Sequence, residues 1–150
     1  MSYNSAKPAL ESPLVMPIAN LSNAVVGRSV RLAGRVLMYE EETQVLLLAS
    51  NTHAIWIDIS VCVDPTISQP FLRDFASIIV VFAHIKQSEA EVPLYNHDSR
   101  NLRPVQVHRH LFAEAFGVRP EKDLDLDAWE ETALRLGAML AERKSKAAEE

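Results

Sequence analysis

Residues 30–39 read Val-Arg-Leu-Ala-Gly-Arg-Val-Leu-Met-Tyr, and no other stretch constrains the chain as tightly. Val30, Leu32, Val36 and Met38 occupy alternate positions and share one face of a strand, because side chains alternate across the pleat. Arg31 and Arg35 then fall on the opposite, outward face. Gly34 interrupts the apolar set on the inward side, where a residue without Cβ lets a strand bend sharply or bulge. A long alternating strand bent at a glycine can serve two sheet layers. A small closed barrel asks this of its first strand.

The segments that follow fit the same plan. Glu40-Glu41-Glu42-Thr43 is a short acidic turn, and residues 44–50 form a second strand. After a turn at 51–53, residues 54–59 alternate cleanly, with Ile55, Ile57 and Ile59 inward and Trp56 and Asp58 outward. Three strands joined this tightly make a meander. Pro65 and Pro70 break any strand over 64–75, and Phe71, Leu72 and Phe75 have helical spacing, so a short helix is expected there. Residues 77–85, rich in β-branched side chains, form a fourth strand. A long polar loop (87–103) leads to a fifth strand at 104–111, with Val105 and Val107 inward, and residues 112–125 read as a further link.

A helix is expected over 123–146. Asp125 or Asp127 can cap it, and Asp127 with Glu130 has capping-box spacing. Arg143, Lys144 and Lys146 at its end complement the helix dipole. The spacing predicts a mainly β fold: a five-stranded OB-type barrel with a short helix between strands three and four and a C-terminal α-helix. Residues 1–13 read as a flexible arm and residues 14–150 as one domain. Leu14, Val15, Ile18, Leu21, Val25 and Val26 lack a clean period and are expected to lie across one barrel end.

Charge and composition narrow the function classes. Residues 1–120 hold 10 Lys+Arg against 11 Asp+Glu, whereas residues 121–150 hold 5 against 9. The barrel is nearly neutral and the acidity belongs to the tail. Proteins that hold nucleic acid alone usually show a basic footprint, which is weak here. The single cysteine, Cys62, excludes a disulfide framework and suits a reducing compartment. Nothing reads as a signal peptide, and the longest apolar run, 78–83, is far too short to cross a bilayer, so no membrane partner is expected.

No catalytic pattern is present: neither a nucleophile elbow, nor a phosphate loop, nor a dinucleotide turn, nor a zinc motif. The chain is expected to be no enzyme, with no cofactor, no bound metal and no small-molecule substrate. His108 and His110 would share a strand face, but two ligands make an incomplete metal site.

Two surfaces carry binding candidates. OB barrels take single strands or peptides across strands two and three and the neighbouring loops. Here Arg31, Arg35, Tyr39 and Trp56 are expected on that side, with Tyr95, Arg100 and Arg103 in the long loop, as candidate nucleic-acid contacts. The alternative is that Trp56 and Tyr39 close the barrel or meet a protein. On the helix, Leu126, Trp129, Ala133, Leu136 and Leu140 alternate at spacings of three and four, a heptad seam. Leu134 and Met139 add a second flank. Leu126, Trp129, Ala133, Leu136, Met139 and Leu140 are the expected partner-binding set, with packing on the barrel as the alternative.

Residues 30–39, the acidic turn after them and the apolar strand 45–49 give the chain a recognisable likeness. It resembles the smallest subunit of the telomere-capping CST complex, whose first strand similarly runs from an arginine through Gly-Arg to an apolar-Tyr-acidic ending. The likeness covers roughly residues 25–145 as architecture and 30–50 residue by residue. It implies a non-catalytic subunit that pairs with the complex's middle OB subunit, in an assembly that binds single-stranded telomeric DNA and helps to protect and replicate chromosome ends. A nuclear, telomeric location is implied with it. The smallest subunit of replication protein A, or another stand-alone nucleic-acid-binding OB module, is the alternative.

Overall fold

The computed structural model describes residues 12–63, 72, 77–89 and 105–149, with residues 140–149 described by backbone alone. The strands are β1 (Leu14–Val15), β2 (Ser29–Glu40), β3 (Val45–Ala49), β4 (His53–Asp58), β5 (Ile78–Gln87) and β6 (Gln106–Pro120), followed by helix α1 (Leu126–Glu149).

Strand β2 organises the barrel by changing partners along its length. Its first half, Ser29 to Arg35, pairs antiparallel with β5, and its second half, Arg35 to Glu40, pairs antiparallel with β3. Arg35 faces Ile78 on one side and Ala49 on the other. Gly34 stands at this crossover, and a Cβ there would lie 2.6 Å from the Ala49 carbonyl oxygen. Only glycine lets the two backbones approach so closely. From β3 the ladder passes antiparallel to β4, parallel to β6 and antiparallel to β5, which closes a five-stranded barrel through β2. The short β1 lies parallel to β2 outside the ring.

Alternation supplies the interior. Val30, Leu32, Val36, Leu46, Leu48, Ile55, Ile57, Ile79, Val81 and Ile85 are buried together, joined by Leu111, Ala113 and Ala115 of β6. Full burial of each such aliphatic side chain contributes about 1.5–3 kcal/mol relative to exposure. Ile18 and Leu21, from the segment before β2, enter the same cluster. Cys62 and Leu72 pack against it, half-buried. The rest of the expected short helix at 64–75, most of the expected arm at 1–13, and most of the loop 87–103 lie outside the described residues.

Three sequence expectations need correction. The fifth strand does not stop at residue 111 but continues to Pro120, since β6 is held by β4 on one side and β5 on the other. Alanines and a glycine disguised that half of it, being weak strand formers by composition. Val105 and Val107 pack outside the barrel with Trp56, not inside, because the β4–β6 register shifts between Ala54 and Trp56. The helix starts at Leu126, with Asp125 as its cap: the Asp125 carboxylate accepts from the Ala128 N–H at 3.2 Å. Asp127 and Glu130 do not form a capping box, since both reach the β3–β4 turn instead.

Candidate nucleic-acid and partner surfaces

A bulge in β2 decides where Tyr39 points. The β2–β3 register slips between Val36 and Met38, so an extra residue, Leu37, intervenes and the inside–outside alternation reverses. Tyr39 consequently packs against the interior cluster, and burial pushes its phenol above the ordinary tyrosine value. Met38, expected inside, joins an outer cluster.

That outer cluster also takes Trp56. Its alternation is as expected, facing away from Ile55 and Ile57, but the side chain is only 7% exposed. Leu47, Ala49 and Ala54 are buried with it, and Leu37, Met38, Val107 and Phe112 pack around them. Trp56 therefore presents no open ring face to a base, which corrects its assignment as a stacking residue, whereas Tyr39 is half-buried. Tyr95, Arg100 and Arg103 lie outside the described residues.

The arginines remain on the outer surface of β2. Arg35 is exposed at the crossover. Arg31 is half-buried, with its Cζ 5.5 Å from the centroid of the Phe82 ring across the β2–β5 ladder. Beside that pair stand aromatic residues that the sequence reading missed. Phe116 lies 6.4 Å from Phe82 and 4.9 Å from His84, centroid to centroid. The alternation of Phe82 and His84 on the non-core side of the fourth strand was the available signal. Phe116 had none, because its strand was read as a link.

Helix α1 divides into a docked and an open half. Leu126 is buried with Ala33 and Val80 on the outer face of β2 and β5, with Trp129 and Phe82 packed at the edge. Asn51 donates to the Asp127 carboxylate at 2.6 Å. Glu130 reaches Ser50, and burial, with Asp127 nearby, holds its carboxyl above the usual glutamate value. Ala133 is buried as well. Leu126 is therefore occupied by the chain's own barrel and Ala133 is buried within the chain, which corrects their place in the partner set. Beyond them Leu136 (40% exposed) and Met139 (50%) share an open flank, and Leu134 (49%) is exposed on the other side of the helix. The side chain of Leu140 lies outside the described residues.

A histidine pair sits where the N-terminal segment meets the barrel. With its proton on Nε2, His108 donates to the Ile18 carbonyl at 2.8 Å. The His53 ring lies 5.9 Å away, its Nδ1 bonded to the Thr52 hydroxyl at 2.8 Å. Burial holds the His108 pKa below the ordinary histidine value. Among the described residues no group of three or more His, Cys, Asp or Glu side chains is arranged to hold a metal ion.

No protein-family model matches the chain, and no curated protein matches its sequence. Solved structures do match. A chain of the S. pombe Stn1–Ten1 complex aligns with a TM-score of 0.59 and 12% identity, over 86% of this chain and 95% of that one. The telomere-capping protein Ten1 of S. pombe aligns with a TM-score of 0.57 and 13% identity, over 85% of this chain and 99% of its own. The fold is that of Ten1. What this chain shares with Ten1 is the architecture: a closed five-stranded OB barrel followed by a C-terminal helix.

Proposed function

We propose that this chain is a Ten1-type subunit of a telomere-capping, single-stranded-DNA-binding complex, acting without catalysis in the nucleus at chromosome ends. The observation that carries the proposal is the structural alignment with Ten1 over 85% of this chain and 99% of Ten1. Its partner is a larger OB-fold subunit of the Stn1 type.

The physical support comes from the helix. Its first turns are already tied to the barrel by Leu126 and by the bond from Asn51 to Asp127. The helix then carries Leu136 and Met139 into solvent on one flank. Removing such side chains from water contributes about 25 cal/mol per Å², and the docked half limits the ordering cost of association. The near-neutral barrel, 10 cations against 11 carboxylates over residues 1–120, argues for sharing the DNA with a partner over binding it alone. The replication protein A reading has the same architecture behind it, but the structural matches are to Ten1 and to the Stn1–Ten1 complex. Co-expression with a Stn1-type subunit tests the proposal. An equimolar complex that retains single-stranded telomeric DNA is expected, and a chain that stays solitary would overturn it.

A further inference from the structure

With Trp56 buried and Tyr39 half-buried against the interior cluster, the described surface offers bases a different platform. Phe116 is 48% exposed and its ring lies 4.9 Å from that of the exposed His84, with Phe82 behind it at 6.4 Å. This placement depends on the backbone. In β6, Gly117 stands opposite Phe82 and Ala115 opposite Ala83, so Phe116 is the extra residue of a bulge. Bulges re-aim side chains. The Phe82 ring lies against Gly117, at ordinary contact distance (3.4 Å) from where a Cβ would stand, beside Phe116.

The charge around the rings is lopsided. Glu114 and Glu121 are each held by a cation, with Lys86 Nζ 3.4 Å from Glu114 and Arg119 Nε 2.7 Å from Glu121. Arg31 adds a cation on the same side, stacked over Phe82, and its Nε is buried without a hydrogen-bond partner. A positive surplus therefore sits beside two exposed ring faces, in a chain whose net charge is −5. Aromatic faces flanked by cations suit a ligand that brings flat bases and phosphates together.

We propose that the outer face of β5 and β6, built on Phe116, His84 and Arg31, is where this chain contacts single-stranded nucleic acid, in place of the β3–β4 face. The proposal deepens the function proposed above by giving the single strand a contact on this subunit. A base stacks on Phe116 and His84, and the Arg31 guanidinium faces a phosphate. Because stacking is indifferent to base identity, the contact adds affinity without sequence preference.

The test is fluorescence anisotropy of the full chain with a labelled oligothymidylate of ~15 nucleotides, starting at about 50 mM salt. Phe116→Leu keeps a bulky apolar side chain on the strand while removing the ring. It should weaken binding by about fivefold or more, with an unchanged melting temperature and unchanged capture of the OB-fold partner. Arg31→Gln should reduce the salt slope by about 0.7, the share of one phosphate on a single strand. The proposal is overturned by a wild-type chain that leaves the oligonucleotide free at low salt, or by a Phe116→Leu variant that binds like wild type. It is also overturned if Phe116→Leu loses the protein partner while keeping the oligonucleotide, since the patch would then be a protein interface. A chain that binds through Phe116 yet pairs with no OB subunit supports this site and overturns the pairing instead.

Discussion

A Cβ on Gly34 would stand 2.6 Å from the carbonyl oxygen of Ala49, at the point where β2 leaves β5 and takes up β3. The neighbour is backbone, so nothing flexible can give way. Leu48 closes in from the same side at 2.9 Å.

Gly34→Ala should accordingly destabilise the barrel by about 1–3 kcal/mol, the usual cost of overpacking. In a domain of this size that lowers the melting temperature by roughly 3–10 °C. Thermal unfolding followed by circular dichroism reads it directly. An unchanged midpoint would mean that β2 and β3 can part there without loss.

Trp56 gives a second prediction, because burial and stacking make opposite demands of it. As the centre of an outer cluster with Leu47, Ala49 and Ala54, its replacement in Trp56→Ala should cost about 3–5 kcal/mol of stability. Trp56→Phe should keep the fold and leave oligonucleotide binding as it was. A Trp56→Ala variant that melts like wild type but binds DNA poorly would restore the ring to a stacking role.

Much of this architecture could be read from residues alone, for a definite reason. Where one face of a strand is buried, as along Val30, Leu32 and Val36, alternation is enforced and shows in the sequence. A bulge leaves no such mark. Leu37 looks like its neighbours, yet it turns Tyr39 inward and Met38 outward. Trp56 was assigned to the correct face, but its cover comes from Phe112 and Val107, far away in the chain. Phe116 was invisible as a surface ring because Ala113, Ala115 and Gly117 around it lack the bulk that marks a strand. On α1, the heptad spacing showed the apolar seam but not its division. Which half docks is set by contacts with Ala33, Val80 and Asn51.

His108 makes stability depend on pH. Its folded pKa lies below the ordinary value of 6.5 because the ring is buried. The unfolded chain therefore takes up a proton first, and stability should fall as pH drops below about 6.5 and level off below the folded pKa. Glu130 acts in the opposite sense at lower pH: with its pKa raised above 4.5, the folded state gains as pH falls through that raised value. Urea unfolding at several pH values, for wild type and His108→Gln, separates the two. The variant should lose the decline that begins near 6.5, and a variant that keeps it would assign the decline to another group.

The open flank of α1 yields a stability prediction independent of any partner. Leu136→Glu and Met139→Glu change exposed positions, so each should leave unfolding free energy within about 0.5 kcal/mol of wild type. A collapse of the fold in either variant would mean that this half of the helix, too, belongs to the core.

The central claim is that this exposed flank seats a larger OB-fold subunit, and isothermal titration of the full chain with a Stn1-type subunit measures it most directly. An equimolar complex is predicted for wild type, with Leu136→Glu/Met139→Glu weakening it by about tenfold or more, ~1.4 kcal/mol, while the melting temperature of the free chain stays in place. No heat of binding from wild type, or equal affinity from the doubly substituted chain, would contradict it.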